Sequence, residues 1–310
     1  MEIDKSNEHG VFPMKAVSVA RTVRENPKLT VRNLNRKAHR RGGRWQYNRR
    51  GIDVMREDWD VLVILDACRY DLFESRHSLP GELERKVSRG SDTREFLRGN
   101  VAGRELHDVV YVTANPMYFN FYDELHAEIH DVILVEPGTK TDANGVVSPE
   151  TVALRSKEIA ERHPNKRLVL HFVQPHFPFL DAPIVPDSSD RNIWRDIFTG
   201  EIDTTRSEVW ESYRKNFDRV HDVVKRLLPD LVGKIVVTSD HGNLIGERVW
   251  PFPFREWGHP IGLYVSELVT IPWLEVPWTE RREQIPEPPI SDEGPTQHDV
   301  DERLEALGYV

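Results

Sequence analysis

The sequence predicts an α/β fold with a mostly parallel central sheet and helices on both of its faces. Short, continuous runs of Val, Ile and Leu, such as 61–65 and 235–237, are typical of strands that are buried on both faces. These runs alternate along the chain with helical patterns, as expected for strands joined by helical crossovers. The sequence shows no internal repeat.

From residue 58 onward the sequence predicts individual strands and helices. We expect strands at 60–65, 108–113, 131–136, 167–173 and 234–238, and helices at 93–99, 150–163 and 207–228. The helix at 150–163 has the clearest start, because Ser148-Pro149-Glu150 places a proline at an early helical position. From about residue 275 the chain is rich in Pro and Glu. It ends in a short helix that begins at Val300 and is capped by Gly308.

Two units are predicted: a basic, partly helical N-terminal arm at 1–50 and one α/β domain at 51–310. We expect residues 1–13 to be disordered and two short amphipathic helices to follow, separated at Pro27. The arm is either a solvated segment packed on the domain or a contact surface for a partner, a membrane surface or a nucleic acid. Its few aromatic residues argue against a stacking platform for single strands.

Charge is unevenly distributed. The chain of 310 residues has a net charge of −9, yet residues 1–50 carry 13 Lys/Arg against 4 Asp/Glu. An acidic surface that has few lysines is typical of halophilic proteins. No apolar run approaches the roughly 18 residues that cross a bilayer, and the N-terminus lacks a secretory pattern, so we predict a cytoplasmic protein. The single cysteine, Cys68, excludes an intrachain disulfide and a cysteine-cluster metal site.

Two of the predicted strands end in acidic residues. The run that begins at Val61 stops at Asp66, and the run that begins at Ile235 stops at Asp240-His241. Ligands of parallel sheets bind beyond the carboxyl ends of the strands, where such side chains meet. A carboxylate from one strand and an Asp-His pair from another are suitable ligands for a divalent metal ion.

Further polar clusters leave alternatives open. Thr93 lies at the start of a predicted helix, where free N–H groups favour an anion, yet Asp92 and Glu95 beside it also fit a plain helix cap. His171 and His176 flank a predicted strand end and are either functional or simply satisfied by local contacts. Another histidine follows in Trp257-Gly258-His259-Pro260.

At these residues the chain resembles the alkaline phosphatase/sulfatase superfamily. Thr238-Ser239-Asp240-His241-Gly242 with Gly246-Glu247 is similar to the sulfatase signature, and His171 to Phe179 is similar to the family's His…Pro-His-x-Pro segment. Arg303 to Tyr309 is similar to a common sulfatase-like C-terminus. The resemblance covers about residues 58–310 and implies an alkaline-phosphatase-like fold.

The chain lacks several features of that family. Ala67 follows Asp66 where classical sulfatases have a second Asp, and the Cys/Ser-x-Pro/Ala-Ser-Arg signature is missing, so no formylglycine is expected. The Asp-x-x-x-His motif of the two-zinc enzymes is not found near His171 or His176. The pattern is most similar to one-metal phosphotransferases of the lipoteichoic-acid synthase or lipid A phosphoethanolamine transferase type.

The resemblance implies roles for individual residues. Asp66, Asp240 and His241 would hold one divalent ion, which is Mn, Mg, Ca or Zn. The hydroxyl of Thr93, or of Ser91 as the alternative, would be the fourth ligand and the nucleophile. The remaining polar residues would contact the transferring group or protonate the leaving group: His176 and His259 as catalytic residues, and His171, Arg69 and Arg94 as substrate-binding residues.

The function that these roles imply is hydrolysis or transfer of a phosphate or sulfate ester through a covalent Thr or Ser intermediate. The alternative is a catalytically inactive, sulfatase-like binding protein in surface-glycan or lipid assembly. The missing second Asp supports the alternative, and the intact Asp240-His241 pair argues against it.

Overall fold

The computed structural model describes residues 27–39, 46–138, 146–180, 193–251, 254–290 and 294–309. The disorder predicted at 1–13 and the first predicted arm helix lie outside these residues. The second predicted arm helix is present as α1, Pro27–His39. No helix in this part of the chain combines the length and the apolar character that crossing a membrane requires. The arm boundary at residue 50 stays a prediction.

The described residues contain nine strands and ten helices. The strands are β1 Val61–Leu65, β2 Glu82–Val87, β3 Glu105–Thr113, β4 Glu128–Leu134, β5 Arg167–Phe172, β6 Ile235–Thr238, β7 Leu244–Val249, β8 Phe254–Gly258 and β9 Thr270–Glu275. The helices after α1 are α2 Tyr70–Arg76, α3 Thr93–Asn100, α4 Met117–Asn120, α5 Tyr122–Leu125, α6 Pro149–Arg162, α7 Ile193–Thr199, α8 Arg206–Leu227, α9 Ser266–Val269 and α10 Gln297–Ala306. Each strand and helix predicted from residue 58 onward is confirmed, with small shifts of its ends.

Seven strands form the central sheet in the order β2-β9-β6-β1-β5-β3-β4, and β7 pairs with β8 separately. The pairs of β1 with β5 and β6, and of β3 with β4 and β5, are parallel. Only β9 runs antiparallel to its neighbours, β6 and β2. The predicted mostly parallel sheet is therefore confirmed. Ile64 lies beside His171 on one side and Thr238 on the other, so β1, β5 and β6 end at one edge.

The core has one layer on each face of the sheet. Val61, Val63 and Leu65 of β1 belong to the layer that contains Phe217 of α8. Leu62, one position along β1, belongs to the opposite layer with α3 and α10. Successive side chains of a strand point to opposite faces, so helices cover both faces of the sheet, as predicted.

Four strands, β2, β7, β8 and β9, were not predicted, and the sequences of β2 and β9 explain why they were missed. β2 is an edge strand whose sequence, Glu82–Val87, is mostly charged and exposed. β9 contains Pro272, which ordinarily argues against a strand that pairs on both sides. β7 and β8 form a small ribbon against which α1 packs. There Asn35 Nδ2 donates to the Val249 carbonyl at 3.2 Å, and Arg36 pairs with Glu256 at 2.6 Å.

The turn after β1 carries a strained residue. Ala67 has a φ of 58°, in the left-handed region that costs a residue with a Cβ roughly 1–2 kcal/mol. The buried hydroxyl of Tyr213, from α8, holds this turn: it donates to the Ala67 carbonyl at 2.6 Å and accepts from the Arg69 N–H at 3.0 Å. In this conformation the Ala67 N–H donates to Asp240 Oδ1 at 3.1 Å.

We expect Tyr213→Phe to lower the free energy of unfolding by about 1–3 kcal/mol, because it leaves buried backbone groups of Ala67 and Arg69 without a partner. Chemical denaturation measures the change. The matched control is Tyr122→Phe, at a tyrosine that is 58% exposed, where the change should stay within about 0.5 kcal/mol. Equal changes in the two variants would contradict the role given to the Tyr213 hydroxyl.

Candidate metal centre

Three predicted metal ligands meet at the carboxyl edge of the sheet. Asp66 directly follows β1, and Asp240 and His241 follow its parallel neighbour β6. One ligand atom from each lies within 4.8 Å of the others, and all three side chains are fully buried. The adjacent strand ends therefore place these residues together, as the sequence predicted.

The hydrogen bonds of His241 fix which ring nitrogen faces the site. Its Nδ1 lies 2.7 Å from the Gly242 carbonyl, which can only accept, so Nδ1 carries the proton. The lone pair of Nε2 then points into the cluster, 3.5 Å from Asp66 Oδ1 and 3.3 Å from Asp240 Oδ2. Three electron-rich atoms that face one another in a buried site favour a bound cation.

Two buried carboxylates side by side are electrostatically costly. Burial, and then the charge of Asp240, raise the pKa of Asp66 well above its usual range. Burial alone would raise the pKa of Asp240 too, but the neighbouring His241 and His171, together with hydrogen bonds from the Ala67 N–H and the Thr93 hydroxyl, lower it. Asp240 Oδ1 accepts from two backbone N–H groups, at Ala67 and at His241 itself.

Unpaired atoms at the centre fit a metal ion. Asp66 Oδ1 and His171 Nε2 are both buried without a hydrogen-bond partner among the described residues. Buried polar atoms are nearly always paired, so such atoms call for an explanation such as an ion. Ligand atoms of one divalent ion lie about 3–4 Å apart at usual bond lengths and angles, close to the separations seen here. Asp66, Asp240 and His241 therefore fit a single divalent ion.

The two candidate nucleophiles, Thr93 and Ser91, lie in different hydrogen-bond networks. Thr93 Oγ1 donates to Asp240 Oδ2 at 2.8 Å and lies 3.3 Å from His241 Nε2, so this hydroxyl belongs to the metal centre. Ser91 Oγ instead bonds Glu95 at 2.8 Å and the Pro260 carbonyl at 3.1 Å, in a separate network.

The helix cap that was the alternative interpretation of this segment is also present, because the Asp92 carboxylate accepts from the Glu95 N–H at 2.9 Å. The capping residue is thus the neighbour of Thr93, which leaves the threonine hydroxyl free to face the ligands.

The three other histidines surround the ligands. His171 Nε2 lies 3.9 Å from Asp66 Oδ2 and 3.8 Å from Asp240 Oδ2. His176 Nε2 lies 2.8 Å from His259 Nε2, and the His259 ring is 4.7 Å from that of His241, centroid to centroid. Burial lowers the pKa of His171 and His176 to about 4 and that of His259 well below its usual value. These histidines are neutral near pH 7 in the metal-free protein.

The structure does not bring the two predicted arginines into the ligand cluster. Arg69 forms ion pairs with Asp71 at 2.6 Å and with Glu247 at 2.8 Å. Arg94 reaches Glu124 at 3.3 Å and lies over the ring of Phe121. Both guanidinium groups are engaged by acidic side chains.

Sequence reasoning missed three residues of the site. Asn115 Nδ2 donates to Asp66 Oδ2 at 2.6 Å and to the Tyr309 hydroxyl at 3.3 Å. The ring of Tyr309 stacks on His176 with centroids 5.3 Å apart, and Tyr111 bonds His171 Nδ1 at 2.8 Å. Asn115 follows β3 closely, so the strand-end pattern that identified Asp66 could have found it. Tyr309 lies in the C-terminal segment that resembles sulfatases, but that resemblance gave it no role, and no local pattern marks Tyr111.

No protein-family model and no curated protein matches the sequence, whereas solved structures do. The soluble domain of lipooligosaccharide phosphoethanolamine transferase A from Neisseria meningitidis aligns with a TM-score of 0.45 and 15% identity, over 70% of this chain and 75% of that one. The C-terminal periplasmic domain of EcEptC from Escherichia coli, in complex with Zn, aligns with a TM-score of 0.41 and 14% identity, over 69% and 72%.

A putative sulfatase, yidJ from Bacteroides fragilis, aligns with a TM-score of 0.28 and 18% identity, over 47% of this chain and 34% of that one. At these identities and TM-scores, the likeness assigns no activity to this chain.

We expect the wild-type protein to bind one divalent ion per chain and to gain stability from it, about 2.7 kcal/mol at a hundredfold excess over Kd. Asp66→Asn should lose both effects, because it removes a charged ligand. In chelator the same variant should stay within about 1 kcal/mol of wild type, since no ion is then lost. Metal analysis and thermal denaturation measure these changes with Mn, Mg, Ca and Zn.

The matched control for this experiment is Asp71→Asn, whose carboxylate lies outside the cluster and pairs with Arg69. This variant should keep the bound ion. Full metal stabilisation of Asp66→Asn, or its loss in both variants, would contradict the ligand set.

Proposed function

We propose that this protein is a metal-dependent hydrolase or transferase of phosphate or sulfate esters that acts through a covalent ester of Thr93. One observation carries the proposal: the Thr93 hydroxyl lies 2.8 Å from Asp240 Oδ2 and 3.3 Å from His241 Nε2. A hydroxyl held against a cation site is an activated nucleophile. The covalent role of Thr93, the metal and the substrate are all parts of this proposal.

The residues of the chain supply the first step. Asp66, Asp240 and His241 would hold the ion, which lowers the pKa of a nearby hydroxyl and neutralises charge on the transferring group. The oxygen of Thr93 forms a bond to the phosphorus or sulfur, and the bond to the leaving oxygen breaks. The hydroxyl proton is already directed at Asp240 Oδ2, which is its acceptor in the structure.

The histidines supply proton transfer to the leaving group. His176 and His259 are in hydrogen-bond contact through their Nε2 atoms, so a proton on one is shared with the other. The negative charge of a bound ester would favour the protonated form of this pair, and His259 would then donate to the departing alkoxide. His171, whose Nε2 lacks a hydrogen-bond partner among the described residues, would contact an oxygen of the transferring group. Water, or an acceptor alcohol, then attacks the Thr93 ester and regenerates the hydroxyl.

The first test is a panel of aryl phosphate, bis-aryl phosphate and aryl sulfate, assayed with each of the four metals at low and high salt. We expect metal-dependent turnover that is absent in Asp240→Ala, because that variant lacks both a ligand and the proton acceptor of Thr93. The preferred ester then assigns the enzyme as phosphatase, diesterase or sulfatase. Bound metal without turnover would indicate a transferase that lacks its acceptor. Neither bound metal nor turnover would indicate the inactive binding protein.

Single-residue variants test the nucleophile. We expect Thr93→Ala to lose at least about a thousandfold in kcat, since removal of a nucleophile eliminates the covalent route. The matched control is Ser91→Ala, two residues away, whose hydroxyl contacts Glu95 and Pro260 rather than the ligands. Its kcat should stay within a factor of about ten. Loss of activity in Ser91→Ala with retention in Thr93→Ala would show that serine is the nucleophile.

A further inference from the structure

A second polar feature lies on the outer side of the metal centre. A cavity of about 360 Å³ is lined by His176, His259 and Tyr309, the residues that cover the ligand cluster. Its opposite wall is basic: α1 contributes Arg32 and Arg36, and α7 contributes Arg195. The ligands themselves are fully buried beneath the covering residues. A substrate that reaches the metal centre through this cavity would pass the arginines.

Arg32 is the unusual member of this wall. Its side chain is only 6% exposed, yet its Nε and NH1 groups have no hydrogen-bond partner within the described residues. Its guanidinium carbon lies 4.2 Å from the centre of the Phe198 ring. Burial, and then the charge of Arg36, lower the pKa of Arg32 to about 10, so it stays charged near pH 7. A buried charge whose N–H groups lack acceptors is costly and is seldom retained without a use.

The charge of Glu256 favours the charged form of Arg32, but this carboxylate is hydrogen-bonded to Arg36. Glu256 accepts from Arg36 through both carboxylate oxygens, at 2.6 and 3.2 Å, so its charge is matched by that arginine. Arg32 therefore keeps a buried positive charge at this cavity, whose lining includes no acidic side chain among the described residues.

We propose that Arg32, assisted by Arg36 and Arg195, forms a subsite for a second anionic group of the substrate. This group would be a carboxylate or a phosphate, carried on the ester a few bonds away from the reacting phosphorus or sulfur. A guanidinium offers several N–H donors in one plane, which is the geometry that such anions accept. The proposal rests on the proposed function for the reacting group and adds the substrate class: an ester with two anionic groups.

Binding of non-hydrolysable probes tests the subsite without turnover. The probes are alkylphosphonates of two to five carbons that end in a carboxylate, a methyl group or an amine. They are titrated by calorimetry into the metal-loaded, full-length protein. For at least one length, we expect the carboxylate probe to bind about ten to a hundred times more tightly than the methyl probe. Equal affinities at every length, or a preference for the amine, would overturn the proposal.

Matched variants assign the preference to Arg32. Arg32→Gln should lose the carboxylate preference and still bind the methyl probe like wild type, which also shows that the variant is folded. Arg32→Lys keeps the charge and should keep part of the preference. Lys37→Gln removes one positive charge from the exposed side of the same helix and should change neither affinity. A preference that persists in Arg32→Gln would exclude this arginine as its source.

Turnover of matched aryl diesters separates the two proposals. Each diester carries the same aryl leaving group and a second arm that ends in a carboxylate or a methyl group. Carboxylate-selective binding without turnover would refute only the esterase activity, and turnover without selectivity would refute only the subsite. If no phosphonate binds and no diester is turned over, both proposals fail.

Discussion

The structure depends on one electrostatic constraint: two carboxylates, Asp66 and Asp240, are buried side by side at the ends of adjacent parallel strands. The cost of burying such a pair is several kcal/mol per charge before compensation. Several donors around them reduce that cost. Backbone N–H groups of Ala67 and His241 donate to Asp240, and Asn115 donates to Asp66. A cation would complete this compensation.

The same constraint explains the strained turn after β1. The left-handed conformation of Ala67 turns its N–H toward Asp240, and the Tyr213 hydroxyl fixes that turn from α8. A local strain of roughly 1–2 kcal/mol is small beside the cost of a buried carboxylate that lacks a donor. Backbone strain at the site is thus tolerated because it improves the hydrogen bonding of a ligand.

Strand-end patterns made the sheet and the cluster of Asp66, Asp240 and His241 predictable from sequence, since apolar runs fix where strands stop and parallel strands stop together. The substrate-binding role of Arg69 stays a prediction, and its closeness to Asp66 along the chain does not encode its pairing with Asp71 and Glu247. Tyr309 was not predicted as a site residue. It reaches the site only through the packing of α10, a contact between distant parts of the chain that no local pattern encodes.

These long-range contacts divide the site into two layers with different origins. The inner layer comes from strand ends, whose positions are set by the hydrogen-bonded sheet and are therefore precise. The outer layer comes from α1 near the start of the chain, from α7, and from residues 307–309, and these segments line the cavity above the ligands. Under the proposed function, the inner layer would hold the metal ion and needs exact positions, whereas the outer layer would select among substrates. An arginine-bearing helix packed on a small ribbon can change its side chains without disturbing the sheet, so the proposed selectivity depends on residues that do not set the geometry of the Asp66, Asp240 and His241 cluster.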